Sequence, residues 1–353
     1  MKNTLIALVA ACALSPALHA ESSVQIFGVV DLRVSHISNA GAGSVTALNS
    51  AGINTSLWGV RGKEDLGNGM YAGFWLETLL KPDTGETGAG FNRRTTVSIG
   101  GRFGELRLGR DVTPSYRIVT QFDPFLANGL GADINVLSAG PAGNSAPANL
   151  RVSNYNQTSN AIVYVLPPGE GGGGLYGEAM YALSESQTSN RYVGAQLGYK
   201  RGPLNVAAHA AQTNPAGGVP LRHRTTSVAA SYDLPTGTTV MTMYNRERTN
   251  RTGAVDYEEP WWLLGAIHRI GAGEIHVSYV HRNATGTAAE SANDVSLMAL
   301  GYVYNLSRRT AVYTIAARLR NTGTGTVVIP NGLKTITPGG ASSGFDIGIR
   351  HRF

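Results

Sequence analysis

Apolar and polar residues alternate at a period of two along most of this chain, and the alternation runs into its last residue. The final segment, "SSGFDIGIRHRF", sets Phe345, Ile347, Ile349, His351 and Phe353 on one side and Asp346, Gly348, Arg350 and Arg352 on the other. Chain ends are usually frayed and polar, so a strand-like pattern ending on an aromatic residue demands a partner for that edge. Near the start, Val24, Ile26, Val30, Leu32 and Val34 oppose Gln25, Asp31, Arg33 and Ser35. "GEIHVSYVHRN" and "RTAVYTIAARLR" sort in the same way, with Ala311, Tyr313, Ile315 and Leu319 opposite Thr310, Thr314, Arg318 and Arg320. A helix would spread these charges around its surface, whereas a strand separates two faces.

Short and long connections separate the alternating segments in turn. The tight ones include "EDLGNGM" (64–70), "GGRFGE" (100–105), "KRGPL" (200–204), "RIGAGE" (269–274) and "NLSRRT" (305–310). The longer polar ones include 39–52, 83–92, 184–190, 213–222, 249–256, 283–293 and 321–341. This is the pattern of an up-and-down barrel with one short-turn end and one long-loop end. About sixteen strands fit the length, since each would then have about 21 residues including its connection, and a spanning strand needs about 9–11 of them.

Residues 1–20 read as a secretory signal peptide, with Lys2 as its basic start, Leu5 to Leu14 as its apolar centre and Ala20 before the cut. That leaves residues 21–353 as the barrel, with 28 basic and 23 acidic residues and without Cys12, the single cysteine. An exported chain of this size without cysteine is not a disulfide-stapled scaffold. No later run approaches the 18 apolar residues of a spanning helix. Glycine, at 45 of 353 residues, exceeds the roughly 7% of globular chains and is spread without a collagen-like period. These features fit an all-β secreted protein or an outer-membrane barrel. The barrel accounts better for the alternating connection lengths, because a sandwich carries similar loops at both ends. In a barrel the charged face lines the interior and lipid covers the apolar face. Tyr302, Tyr304 and Tyr313 near one turn, with Trp261 and Trp262 at another strand start, suit aromatic girdles at the membrane surfaces.

The stretches "SSVQIFGVVD", "GVRGKEDLGNGMYAGFWLE" (59–77), "RRTTVSIGGRFGELRLGRD" (93–111), "GYVYNLSRRTAVY" (301–313) and the terminal Phe353 resemble the general trimeric porins of Gram-negative bacteria, above all their β-proteobacterial branch. The resemblance spans the chain beyond its signal. It implies an all-β fold: a transmembrane, antiparallel up-and-down β-barrel of about sixteen strands, with a long third loop folded into the lumen. It also implies a homotrimer in the outer membrane that passes small hydrophilic solutes and ions by diffusion. Lipid and lipopolysaccharide surround such a barrel, and the assembly machinery reads Phe353 as a signal.

One connection breaks the short–long rule, since residues 112–153 run about forty residues without a sustained period. In the resembled family the loop at this place narrows the lumen. Phe122, Phe125 and Leu126 give its first half the bulk to pack on a barrel wall, and Asp123 is its acid. Family constrictions set arginines against acids of this loop, and the transverse field selects ions. Matching positions nominate Arg93, Arg94, Arg110 and Arg151, faced by Asp123 and Glu77. Each arginine has a plainer alternative at a strand end, where it binds lipopolysaccharide phosphate or water. The chain departs from the family pattern twice. Leu57 stands where an arginine is common, which weakens the ladder by one charge. Strict alternation also puts Arg110 on the lipid face with Leu106 and Leu108, so either Gly109 permits a bulge that re-aims it or Arg110 lies beyond the membrane at the loop's root.

Motifs for catalysis do not survive their context. "GASSG" (340–344) lacks the strand–turn–helix of a nucleophile elbow. "GEGGGG" (169–174) has no following helix to hold a pyrophosphate. The histidines show no metal spacing. The sequence therefore predicts a porin with a mild anion preference, without catalysis, cofactor, metal or nucleic-acid partner. The alternatives are a channel selective for organic anions or phosphate, and a barrel-type adhesin whose long loops do the work.

Overall fold

Each alternating segment becomes a strand because its apolar side can face lipid while its backbone pairs with neighbours on both edges. The computed structural model describes residues 23–137, 154–169, 173–184, 191–214, 222–250, 253 and 255–353; the signal peptide expected over 1–20 lies outside them. In chain order come β1 (Ser23–Asn39), β2 (Gly43–Ser50), β3 (Leu57–Gly67), β4 (Met70–Lys81), β5 (Glu86–Thr87), β6 (Arg94–Gly101) and β7 (Gly104–Val112). The helix α1 (Pro114–Phe122) follows, then β8 (Gln157–Val165), β9 (Gly174–Ala182), β10 (Tyr192–Arg201), β11 (Leu204–Thr213) and β12 (Arg222–Asp233). The remainder are β13 (Thr238–Asn250), β14 (Tyr257–Ile270), β15 (Gly273–Arg282), β16 (Val295–Asn305), β17 (Thr310–Asn321) and β18 (Ala341–Arg352). All ladders are antiparallel between sequence neighbours, and β18 closes on β1. Because β2 and β3 pair with successive parts of the same edge of β1, they form one stave. The short β5 pairs only with the end of β4 at the rim. The barrel therefore has the sixteen staves that the sequence predicts.

The seam runs from Val29 opposite Arg352 to Asn39 opposite Ser342. Beyond it, Phe353 and Gly28 exchange two backbone hydrogen bonds of 3.0 Å. The Phe353 ring lies where a Cβ on Gly28 would stand, so a larger residue there would displace the terminal ring. The first residues of β1 pair with β3 instead of β18, which moves the closing contact a few residues along from the "SSVQIFGVVD" stretch. The expected long connection at 39–52 is also shorter: only a tight turn separates β1 from β2. The break falls later, at 51–56, where the buried Asp31 carboxylate accepts the N–H groups of Gly52, Ile53 and Asn54 at 2.8–3.0 Å.

The third loop does enter the lumen. Thr113 caps α1 by accepting from the Tyr116 N–H at 3.2 Å, with Pro114 in the first turn. The Ser115 hydroxyl meets Tyr192 Oη at 2.9 Å and His209 Nε2 at 3.1 Å on the inner wall. Farther along, His276 Nδ1 donates to the Pro124 carbonyl at 2.7 Å, Phe125 packs over Gly301, and Thr55 donates to Asn128. The loop thus lines β9–β13 and β15–β16 and leaves the inner faces of β3, β4, β6 and β7 open. Ile118, Val119, Phe122, Leu130 and Leu137 are fully buried, so the hydrophobic core lies inside the barrel, between loop and wall.

That core alters which face of a strand is polar. In β1 and β7 the charged side faces inward, as expected. In β17 the faces are exchanged: Ala311, Tyr313, Ile315 and Leu319 are buried on the inside, while Arg318 and Arg320 are exposed on the outside. The two tryptophans divide likewise, Trp261 buried inside and Trp262 on the outer surface. Tyr302 and Tyr304 are exposed on the outer wall, but Tyr313 turns inward and bonds to Asp31.

Asp123 holds the inward loop together. Its carboxylate is fully buried and accepts the N–H groups of Phe125 (3.0 Å), Ala127 (2.9 Å) and Asp133 (3.1 Å). This corrects the expectation that Asp123 faces the arginines across the lumen, because three backbone donors draw it into the loop's own interior. Burial, then the adjacent Asp123 charge, pushes the Asp133 carboxyl well above the usual carboxylate range. Asp123→Asn should therefore destabilise the loop by about 2–3 kcal/mol, by placing an amide against N–H donors, whereas Asp133→Asn should leave it folded. A group whose folded-state pKa is raised contributes its full stability below the unfolded value of about 3.9 and loses it as pH rises through the raised value. The wild-type loop should become more protease-sensitive over that rise and Asp133→Asn less so, because burial raises the Asp123 carboxyl too and keeps the remainder of the dependence; timed proteolysis in micelles would read both.

Candidate functional site

The open part of the inner wall is a cluster of cations that share too few acids. On β4, Trp75 and Glu77 point inward by alternation with Phe74 and Leu76, and Arg94 stands opposite Glu77 at the start of β6. Arg93, one residue before β6, reaches the same acid, with Nε 2.5 Å from Glu77 Oε1. The Trp75 indole N–H donates to the other oxygen of Glu77 at 3.0 Å. The guanidinium of Arg94 lies over the Trp75 ring, 4.4 Å from its centre, and that of Arg61 lies 4.9 Å from the same ring. Phe27 extends the stack at 4.9 Å. Such stacking fixes a guanidinium plane while leaving its edges for anions or water.

Asp111 is the hub of the second half. It is fully buried under three guanidinium groups: Arg94 at 3.6 Å, Arg107 at 3.4 Å and Arg117 at 3.1 Å. Arg107 also holds Glu105 at 2.8 Å, and Arg117, on α1, holds Glu178 of β9 at 2.7 Å. Asp111, Glu105 and Glu178 equal Arg94, Arg107 and Arg117 in number, and Glu77 matches Arg93, so these eight groups balance. The wall's positive excess is Arg61 and Lys63, because neither has a carboxylate partner among the described residues; Arg61 bonds to Gln25, and Lys63 sits 3.8 Å from the Tyr71 ring centre. The described part of the loop exposes no acid to the lumen, since Asp123 and Asp133 are both fully buried. A second pair, Arg33–Asp346 at 2.6 Å, is sealed beneath the loop tip and out of water.

The structure brings Arg93, Arg94 and Glu77 together on the lumen wall. It separates Arg110 from them. The irregularity beside Gly109 lies on the opposing strand, where Gly109 pairs with Ala161 but Asp111 pairs with Thr158, and Asn160 takes a φ of 56°. Because the extra residue is on β8, Arg110 keeps the outward phase of Leu106 and Leu108. It donates to the Asn92 carbonyl at 2.5 Å and to Ser159 Oγ at 2.8 Å at the loop-end rim. Arg151 lies outside the described residues. Sequence reasoning missed Arg107, Asp111 and Glu105, although their phase opposite Leu106 and Leu108 marks them as inward. It also missed Arg117, which sits on a helix and has no strand phase to read.

Comparison with known proteins places this barrel. A family model described as Gram-negative porin matches residues 7–324. The chain is 35% identical to outer membrane porin protein 32 of Delftia acidovorans over 368 aligned residues that cover all of both chains. Among solved structures, the anion-selective porin from Comamonas acidovorans superposes with a TM-score of 0.82 at 32% identity, over 94% of this chain and 100% of that one. Outer-membrane OmpT of Vibrio cholerae, 14% identical, shares the fold with a TM-score of 0.70 over 94% and 98% of the two chains. A sixteen-stave closed barrel, an inward third loop and full-length similarity together mean that the chain belongs to the Gram-negative porin family and is an outer-membrane porin.

Proposed function

We propose that this porin passes small hydrophilic solutes with a preference for anions, and that the charge imbalance between wall and loop sets the preference. The observation that carries the reading is the buried state of Asp123 and Asp133 opposite the Arg61, Lys63, Arg93, Arg94, Arg107 and Arg117 cluster. An anion entering the narrow part meets the unpaired Arg61 and Lys63 on the wall and no exposed acid on the described part of the loop. The low-dielectric barrel around it focuses that field. The name of the Comamonas acidovorans structure, an anion-selective porin, supports the same direction. A unit charge about 8 Å from the ion path in water contributes roughly 0.5 kcal/mol, or about twofold in relative permeability.

Reversal potentials in a salt gradient across a planar bilayer should show anions more permeant than cations. Arg61→Ala and Arg94→Ala should each lower the ratio about twofold, while Arg110→Ala, on the outer wall, should leave it unchanged. The preference should fade near 1 M salt, where the screening length falls to about 3 Å. Cation preference in the wild type would sink the reading.

We also propose a homotrimer whose closing strand serves as the assembly signal through Phe353. The outer faces of β1 and β18 carry exposed Val24, Ile26, Val34, Phe345, Ile347 and Ile349, which need lipid or a neighbouring subunit to cover them. Removal of Phe353 takes away two seam hydrogen bonds and the ring over Gly28. Its deletion should reduce the assembled protein in the outer membrane several-fold without changing the conductance of the channels that do assemble. Equal assembled levels of deletion and parent would remove Phe353 from this role, and three equal closing steps in single-channel records would report the trimer.

A further inference from the structure

The connection between β17 and β18, residues 322–340, is mostly polar and glycine-rich, but it carries one apolar run, Val327, Val328 and Ile329, before Pro330. A loop exposed to water gains nothing from three successive large apolar residues. All three are buried, Ile329 completely, and Ile336 is buried with them. The groups that hold the loop show on which side of the barrel it lies. Asn321, the last residue of β17, keeps the inward phase of Ile315 and Leu319. Its side-chain amide donates to the Val327 carbonyl and accepts the Val327 N–H, both at 2.9 Å. Asn39, at the end of β1 and in phase with Arg33 and Ser35, donates to the Leu333 and Thr335 carbonyls at 2.6 and 3.0 Å. Ser342 pairs with Asn39 across the seam, accepts the Ile329 N–H at 3.2 Å and donates to Asn39 Oδ1 at 2.6 Å. All three anchors point inward, so the loop folds over the rim and down the inner face of the seam.

Ile37 joins this loop to the third loop. A Cβ on Gly332 would stand 2.6 Å from Ile37, and one on Gly344 would stand 3.0 Å from Leu130 and 3.4 Å from Ile37. Val327 and Ile329 belong to the same apolar cluster as Leu130 and Phe125 of the third loop. The two loops divide the circumference between them. The third lies against β9–β13 and β15–β16, the last lies against β17, β18 and β1, and the cation-bearing wall of β3, β4, β6 and β7 remains. We propose that the loop 322–340 is a second restricting element of the pore. Fixed above the tip of the third loop, it closes the mouth along the seam, sends solutes down the charged wall and sets the size limit at the entrance. Its one charged residue is Lys334, which is exposed, so the loop acts by bulk and not by charge. The inference rests on the channel reading but not on its ion preference.

The loop's two ends already meet, the Gly339 N–H donating to the Gly325 carbonyl at 2.9 Å. Residues 326–338 can therefore be excised and Gly325 joined to Gly339 without pulling on either strand. Single-channel recording near 1 M salt, where the screening length is about 3 Å, reads the open cross-section with little contribution from charge. The excised channel should conduct about one and a half times as much as the wild type, or more, since conductance follows the open area. Liposome swelling with neutral sugars should quicken most for the largest, so that the trisaccharide-to-monosaccharide rate ratio rises. Asn39→Ala/Asn321→Ala keeps the bulk but frees the loop from both strands, and its conductance should flicker between the wild-type level and a higher one. Lys334→Ala should alter neither reading; heat-modifiable gel mobility shows that each variant is folded. Equal conductance and an equal sugar ratio in wild type and excised channel overturn the proposal. So does a conductance that rises as much in Lys334→Ala, which would assign the effect to charge. If the excised chain does not fold, a steady wild-type conductance in Asn39→Ala/Asn321→Ala overturns the proposal in its place. Absence of conductance from wild type and excised form alike would count against the channel reading itself.

Discussion

Hydrocarbon offers no partner to a peptide N–H or C=O, and each unpaired group there costs several kcal/mol. A sheet can cross a bilayer only if it has no edge, so the pairing of β1 with β18 is the contact on which every other ladder depends. It explains why the alternation persists to Phe353: a terminal strand cut short would expose acceptors and donors at the seam. It also explains why β1 has 17 residues, the longest strand in the barrel. It must serve β18 along one edge and both β2 and β3 along the other, and a strand of ordinary spanning length could not cover all three.

Closing the sheet creates a second requirement, since a wide barrel has an interior that side chains alone do not fill. The third loop meets it along part of the circumference, and the result divides the inner wall in two. Under the loop the wall is sealed from water: Trp261, Leu263, Leu297, Ile315 and Leu319 share one apolar cluster with Ile118, Phe122 and Phe125, and the polar groups there are paired, as in Ser115–His209 and Arg33–Asp346. Away from the loop it is charged, and water or solute takes the place of protein. The exchange of faces in β17 follows from this division and not from any change in the strand's period. Once its inner side must pack against Phe125 and Leu130, its charged side has only the outside to occupy, and the cost stays small because Arg318 and Arg320 lie near the interface.

Much of this was legible in the residues. Period-two alternation gave the fold, the connection lengths gave its two ends, and position relative to "FWLE" and "NRRTTV" gave Glu77, Arg93 and Arg94. Arg107 and Asp111 were equally legible, since they alternate with Leu106 and Leu108 in one short strand. Three things were not. Alternation separates two faces but does not say which is inside, so the inversion at β17 had no local signal. Asp123 read as a free acid because nothing in "TQFDPFLANG" announces that three N–H groups will converge on it. For Arg110 the period left two readings open, a bulge at Gly109 or a place at the loop's root; the irregularity falls on the partner strand, where Asn160 supplies the left-handed residue, and Arg110 lies at the loop-end rim.

The electrical character of the lumen follows from how differently its acids are used. Glu77, Glu105, Asp111 and Glu178 pair with four of the wall's cations and leave Arg61 and Lys63 in excess. Asp123 is spent on backbone donors, and Asp133, buried beside it, is pushed toward its neutral form. A loop that kept these acids exposed would face the arginines with an opposing charge, and the field would run across the lumen from wall to loop. Three N–H dipoles oppose the Asp123 charge and Asp133 is pushed toward neutral, so the loop's share of the field is small beside the unpaired Arg61 and Lys63 of the wall, which attract negative charge. The interactions that fold the loop inward therefore also fix the sign of the potential that a permeating ion meets.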